Sequence, residues 1–298
     1  MDRNKISIPL KIIAFLIHSR IFIGCIAFML CLQTQLQLGI TIQFRPYLGV
    51  VFFGALLAYH LNHLKWIIQE KYLLNEHKYL WLREHLSLFY VICALSFIGF
   101  LISFLFVGFL LQIILLPFLL ITLFYSLPVF SGRYILFNLR EIPHIKIFLI
   151  SFVWTSITVI LPVLASDVEF KWHHVIWMCM ERFIFAFAIT LPFDIRDMEV
   201  DFQSGLKTIP HWLNKKNTIH LSNLLLLTFF LICSVHYFFM QMYFFIPAYF
   251  LSAASAFVFM NVEKIKRLPF YYEGILDGSL LFQTLYVCIF AFLSSMNL

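Results

Sequence analysis

Long apolar stretches recur along the chain, separated by short polar segments. Nine of them approach the length a bilayer-spanning helix needs, about 20 residues. They lie at about 21–38, 44–62, 87–107, 109–129, 147–165, 175–193, 219–239, 241–260 and 275–295. Two of the boundaries follow from length. Residues 87–130 are almost continuously apolar, and as one helix they would run about 66 Å at ~1.5 Å per residue. That is twice the hydrocarbon core of about 30 Å, so a hairpin with its break near Gly108 is predicted. Residues 219–260 predict a second break, near Met240, for the same reason. Residues 6–17 are apolar but carry Lys11 and run into His18-Ser19-Arg20 without a small-residue cleavage site. They predict a short helix lying along the membrane surface rather than a signal peptide.

The polar segments between these stretches test the count. With the N-terminus in the cytoplasm, the even-numbered breaks and the N-terminal segment collect eighteen of the 21 Lys and Arg residues. The opposite side holds only Arg45 and Lys171, and Arg182 lies inside the sixth stretch. Such a bias is the positive-inside pattern, and one miscounted span would scramble it. The expectation is an all-α membrane protein of nine transmembrane helices, N-terminus cytoplasmic and C-terminus outside. It forms one domain over residues 1–298, with 1–20 interfacial and 21–298 the bundle.

Composition agrees. The 298 residues are 62% hydrophobic and 12% charged, against about 45–50% and about 25% in soluble domains, and the mean hydropathy is +0.91. A water-soluble globule is excluded. The net charge of +6 belongs to loops facing anionic headgroups, not to a nucleic-acid surface. The six cysteines all lie inside apolar runs with no C-x-x-C pair, which argues against a disulfide framework or a zinc site. The 37 Phe and 13 Tyr residues suit a greasy tunnel but equally suit contact with lipid.

Candidate chemistry concentrates after the sixth stretch, in the run from Leu191 to Pro210. Asp194, Asp197 and Asp201 stand at i, i+3 and i+7, so on a helix they project from one face. Three carboxylates within two turns repel one another unless a cation lies between them. Hard oxygen donors suit Mg²⁺, which takes one or two carboxylates and completes its shell with water and substrate phosphate. A solvated acidic helix end is the plainer alternative.

Asp194-x-x-Asp197-x-x-x-Asp201 followed by Gly205-x-Lys207-Thr208-Ile209-Pro210 resembles the second aspartate-rich motif of the UbiA superfamily of intramembrane prenyltransferases. Tyr125-Ser126-Leu127-Pro128 and Pro143-x-x-Lys146 fall in the matching order. The resemblance implies a nine-helix bundle with two acidic loops facing a cytoplasmic pocket, in a bacterial cell membrane. It also implies Mg²⁺-dependent transfer of a prenyl group from a polyprenyl diphosphate to an aromatic or lipophilic acceptor. On it, Asp194, Asp197 and Asp201 are metal ligands, and Arg133, Lys146, Lys207 and Tyr125 contact the substrate.

The family's first motif, Asn-x-x-x-Asp-x-x-x-Asp, is matched only by Asn62-x-x-x-Trp66-x-x-x-Glu70. Asn62 and Glu70 are expected to join Asp194 and Asp201 in the catalytic set, on a metal face that has lost one carboxylate to Trp66. That loss supports an alternative: a relative that binds, moves or scaffolds an isoprenoid lipid without turnover. His60-x-x-His63 suggests the histidine boxes of membrane oxygenases, but His173-His174 is predicted on the other membrane face. Glu181-Arg182, within the sixth stretch, is either a functional intramembrane pair or a pair that snorkels toward the outer surface.

Overall fold

The structure is a computed structural model, and it describes residues 8–68, 77–126, 130–132, 135–137, 142, 145–203 and 205–296. Its helices are α1 (Ile8–His18), α2 (Ile21–Gln37), α3 (Pro46–Ile68), α4 (His77–Glu84), α5 (Leu86–Leu105), α6 (Phe109–Ser126) and α7 (Ile145–Thr155). They continue with α8 (Leu161–Leu164), α9 (Trp172–Gln203), α10 (Ile209–Phe239), α11 (Ile246–Asn261), α12 (Glu263–Lys266) and α13 (Asp277–Met296). Among the described residues the strands form one short antiparallel ribbon, Phe130–Gly132 (β1) against Ile135–Phe137 (β2).

Six helical segments among the described residues are long and apolar enough to cross a membrane: Leu86–Leu105, Ile145–Leu164, Trp172–Gln203, Ile209–Phe239, Tyr243–Asn261 and Tyr271–Met296. A seventh candidate is the pair Leu10–His18 and Ile21–Gln37, bent by 78° where Arg20 takes a left-handed backbone (φ 63°). The two remaining apolar stretches lie on α3 and α6, whose apolar described parts are Pro46–Leu61 and Phe109–Tyr125. Both predicted breaks are present. Gly108 lies in the turn between α5 and α6, where Gln112 Nε2 donates to the freed carbonyls of Phe104 (2.9 Å) and Val107 (3.0 Å). Met240 caps the end of α10.

Two compact units are formed. The first comprises residues 1–28 and 45–138, the second residues 29–44 and 139–298. In the first, α3 packs on α5 through small residues: a Cβ at Gly99 would overlap the Phe53 ring, and one at Gly49 would meet Ser103. Such close approach is how helices associate in lipid, where the hydrophobic effect gives no drive between them. The outer side of α5 bears exposed Leu95, Phe97, Ile98, Leu101, Ile102 and Leu105, the surface expected against acyl chains.

The second unit packs α9 against α7 and α10, and α11 against α10 and α13. A π-helical turn, Ser156–Ile160, joins α7 to α8. Its carbonyls are met by side chains of α2: Thr34 Oγ1 donates to Thr158 O (2.6 Å) and Cys31 Sγ to Ile157 O (3.6 Å). With no water in the hydrocarbon, backbone groups displaced from the helical ladder must find partners inside the protein. The same rule operates inside α9. Pro192 has no N–H for the Ala188 carbonyl four residues back, and Ser222 Oγ of α10 donates to that carbonyl instead, at 2.5 Å.

The cysteines divide: Cys31 and Cys233 are buried, Cys93, Cys179 and Cys288 half-buried and Cys25 exposed, and all six are free.

Candidate active site

The last turns of α9 carry the three aspartates on one face, as their spacing requires. Asp194 is buried and so is Asp201, while Asp197 is half-buried. The side chain they converge on is Lys146, the second residue of α7, itself 6% exposed. Its Nζ lies 2.8 Å from Asp194 Oδ1, 3.3 Å from Asp201 Oδ2 and 3.7 Å from Asp197 Oδ2. One ammonium thus occupies the point shared by three carboxylates. Asp197, the most distant, is engaged elsewhere as well: Arg196 grips it with Nε at 2.7 Å and Nη2 at 3.2 Å.

Arg196 extends the cluster to the far end of the chain. Its Nη1 donates to Glu273 Oε1 at 2.9 Å, and its guanidinium lies over the rings of Tyr272 (4.8 Å) and Phe193 (5.1 Å). Tyr272 and Glu273 belong to a second π-helical turn, Tyr271–Leu276, which leads into α13. The sequence reading missed Glu273, because 72 residues separate it from Asp201 and a single acidic residue has no pattern to reveal it.

The residues that follow the aspartates have a structural explanation. Leu206 N donates to Asp201 O and Gly205 N to Phe202 O, both at 2.9 Å. This is the paired closure of a helix end around a left-handed residue, and Gly205 supplies it at φ +80°. Thr208 then starts α10 with a capping box to His211, and Pro210 occupies the first turn. Gly205, Thr208 and Pro210 therefore stop one helix and start the next. Lys207 between them is exposed.

The other expected site residues are less informative. Tyr125 is half-buried near the end of α6. Asn62 lies on α3, but its side chain is outside the described set, as are Glu70 and Arg133. The expected approach of Glu70 to the aspartates therefore lies outside the described residues. His60 and His63 are buried in the first unit, where His60 Nε2 bonds Ser19 O (3.1 Å) and His63 Nε2 lies 3.3 Å from Arg20 Nη2.

The UbiA prenyltransferase family profile matches residues 83–268, a span that includes Lys146 and all three aspartates. The chain belongs to the UbiA prenyltransferase family. The match begins beyond Asn62 and Glu70. No curated protein matches the chain in sequence.

Solved UbiA-family structures share the fold. A UbiA homolog from Archaeoglobus fulgidus superposes with TM-score 0.63 at 14% identity, covering 94% of this chain and 98% of its own. A UbiA homolog from Aeropyrum pernix K1 gives TM-score 0.62 at 12% identity, covering 93% and 98%. A digeranylgeranylglyceryl phosphate synthase structure gives 0.52 at 15% identity, covering 97% and 99%. At these identities the likeness is one of fold.

One expectation about this UbiA-family chain is resolved by the geometry. Glu181 and Arg182 do not snorkel: each is 2% exposed, held inside the packed unit. Among the described residues, no three His, Cys, Asp or Glu side chains are arranged as a ready-made metal group. The aspartates have the right donor atoms, but Lys146 Nζ stands where they meet.

Proposed function

We propose that this protein transfers a prenyl group from a polyprenyl diphosphate to an aromatic or lipophilic acceptor within the membrane, using Mg²⁺. The observation that carries the reading is the convergence of Asp194, Asp197 and Asp201 on one cation position at the end of α9. A UbiA homolog from Archaeoglobus fulgidus of the same fold was solved bound to Cd²⁺ (TM-score 0.61, 14% identity).

In this reading the C1–O bond of the donor breaks and diphosphate leaves with the electron pair. The allylic cation is captured by the acceptor, which loses a proton as the new bond forms. Bound Mg²⁺, held by Asp194 and Asp201, would supply positive charge where the leaving group gathers negative charge. With the carboxylates committed to a divalent ion, Lys146 would supply positive charge to the diphosphate. Exposed Lys207, four positions before His211 of α10, offers a second cation. Asp197 positions Arg196 rather than the metal. The nine-span arrangement, with the aspartate end cytoplasmic and the C-terminus outside, is the topology we assign.

A second reading has a specific observation behind it. Lys146 already neutralises the carboxylates at distances as short as 2.8 Å, and Trp66 replaces an aspartate. A relative that holds an isoprenoid lipid without turnover would show both features. Membranes containing the protein, incubated with radiolabelled polyprenyl diphosphates and a lipid extract, separate the readings. Label appearing in a new lipid with Mg²⁺ and not with EDTA supports transfer. Label recovered only as unreacted diphosphate supports the passive binder.

A further inference from the structure

At the other end of α9 the second unit contains a polar chain that the aspartate site does not use. His174 Nε2 lies 2.9 Å from the Gln37 carbonyl oxygen, His174 Nδ1 lies 2.6 Å from His236 Nε2, and His236 Nδ1 lies 2.5 Å from Glu181 Oε1. The other carboxylate oxygen, Glu181 Oε2, accepts from the Tyr237 hydroxyl at 3.3 Å. All three titratable members are buried, at 5%, 1% and 2% exposure for His174, His236 and Glu181.

Hydrogen-bond chemistry fixes how many protons this chain holds. A carbonyl only accepts, so His174 Nε2 carries a proton. The link between the imidazoles needs one proton, and the link from His236 to Glu181 needs another. Two neutral imidazoles and an ionised carboxylate bring only two protons between them, and the geometry requires three. The triad therefore holds one additional proton. That proton can rest on Glu181, on His236 or on His174 without any heavy atom moving, because the three states differ only in which side of each short bond the shared hydrogens occupy.

One end of the chain reaches water. His174 lines an open cavity of about 180 Å³ together with Gln37, Ser166, Glu169, Lys171 and Met240, room enough for several water molecules. The other end lies in mid-span: Glu181 is seven residues along α9 from His174 and thirteen short of Asp194, about 20 Å at ~1.5 Å per residue. The charged and titratable groups around that inner end are Cys179 and Arg182 on α9, Cys31 on α2, Cys233 and Tyr237 on α10, and Tyr249 on α11. No hydrogen-bond acceptor meets Arg182 among the described residues, and its Nη1 is fully buried.

We propose that Glu181, His236 and His174 form an intramembrane proton relay, a site that binds one proton and exchanges it with water in the cavity at the N-terminal end of α9. The relay stands independently of prenyl transfer. It would suit it, since alkylating an aromatic or hydroxyl acceptor liberates one proton that must leave a greasy site.

Nitrogen-15 histidine NMR of the full-length protein in nanodiscs tests the relay through the rate at which the His236 ring N–H exchanges with water. His174→Gln keeps a donor for the Gln37 carbonyl but cannot pass a proton between its two ends. Exchange at His236 is expected to slow at least about tenfold, equivalent to about 1.4 kcal/mol of added barrier. His173→Gln, on the exposed neighbour, is expected to leave the rate unchanged. Unchanged exchange in His174→Gln or equal slowing in His173→Gln would each overturn the relay. None of these readouts depends on catalysis, so they stand or fall apart from the prenyl-transfer reading.

Discussion

One helix, α9, buries carboxylates at two places and compensates them in opposite ways. Near its C-terminal end, Asp194, Asp197 and Asp201 gather around the Lys146 ammonium, a point charge that cannot give up its role without leaving anions exposed to one another. In its N-terminal half, Glu181 is met by His236 and Tyr237, partners that let the carboxyl take a proton and become neutral. Burying a charge is expensive unless it is paired or neutralised. The aspartate end uses pairing and the glutamate end can use neutralisation. The first arrangement suits a place where cations are exchanged, and the second a place where protons are.

Removing one compensating group at each end should therefore have unequal consequences. Lys146→Met takes the shared cation from buried Asp194 and Asp201, and loss of one partner from a buried ionic cluster costs about 3–5 kcal/mol. Unfolding of the purified protein in detergent should show that loss, and Mg²⁺ should recover part of it. A variant as stable as the parent without Mg²⁺ would mean the carboxylates are solvated after all. His236→Leu should cost less, about 1–3 kcal/mol, since Glu181 can take a proton and keep its bond from Tyr237. If both variants lose the same stability, the contrast between pairing and neutralisation is wrong. Between the two ends, Ser222→Ala removes the donor for the Ala188 carbonyl beside Pro192. A net cost of about 1 kcal/mol is expected, checked by the same unfolding measurement.

The aspartate end was legible in the sequence and the glutamate end was not, for a geometric reason. Asp194, Asp197 and Asp201 lie on one helix, so their spacing alone places them on a common face. The breaks at Gly108 and Met240 were legible because the bilayer fixes helix length. Glu181 finds His236 on another helix, 55 residues away, and no periodicity within one helix encodes the alignment of α9 with α10. The alternative that Glu181 and Arg182 snorkel outward failed for that reason: the partner that holds Glu181 inside lies on a different helix. Lys146 was singled out, but as a substrate contact. That its Nζ sits among the aspartates depends on how α7 packs on α9. The glycine and proline of the motif turned out to stop one helix and start the next.

The most direct test of the central claim is calorimetric binding of a polyprenyl diphosphate to the parent and to Asp194→Asn, Asp197→Asn and Asp201→Asn, each with Mg²⁺ and with EDTA. The account predicts Mg²⁺-dependent binding by the parent. Asp194→Asn and Asp201→Asn should weaken it at least about 100-fold, near 2.7 kcal/mol. Asp197→Asn should weaken it only about tenfold, since that carboxylate is held chiefly by Arg196. Three variants that bind as tightly as the parent, or parent binding that is the same in EDTA, would contradict the claim that these aspartates hold a metal against a diphosphate.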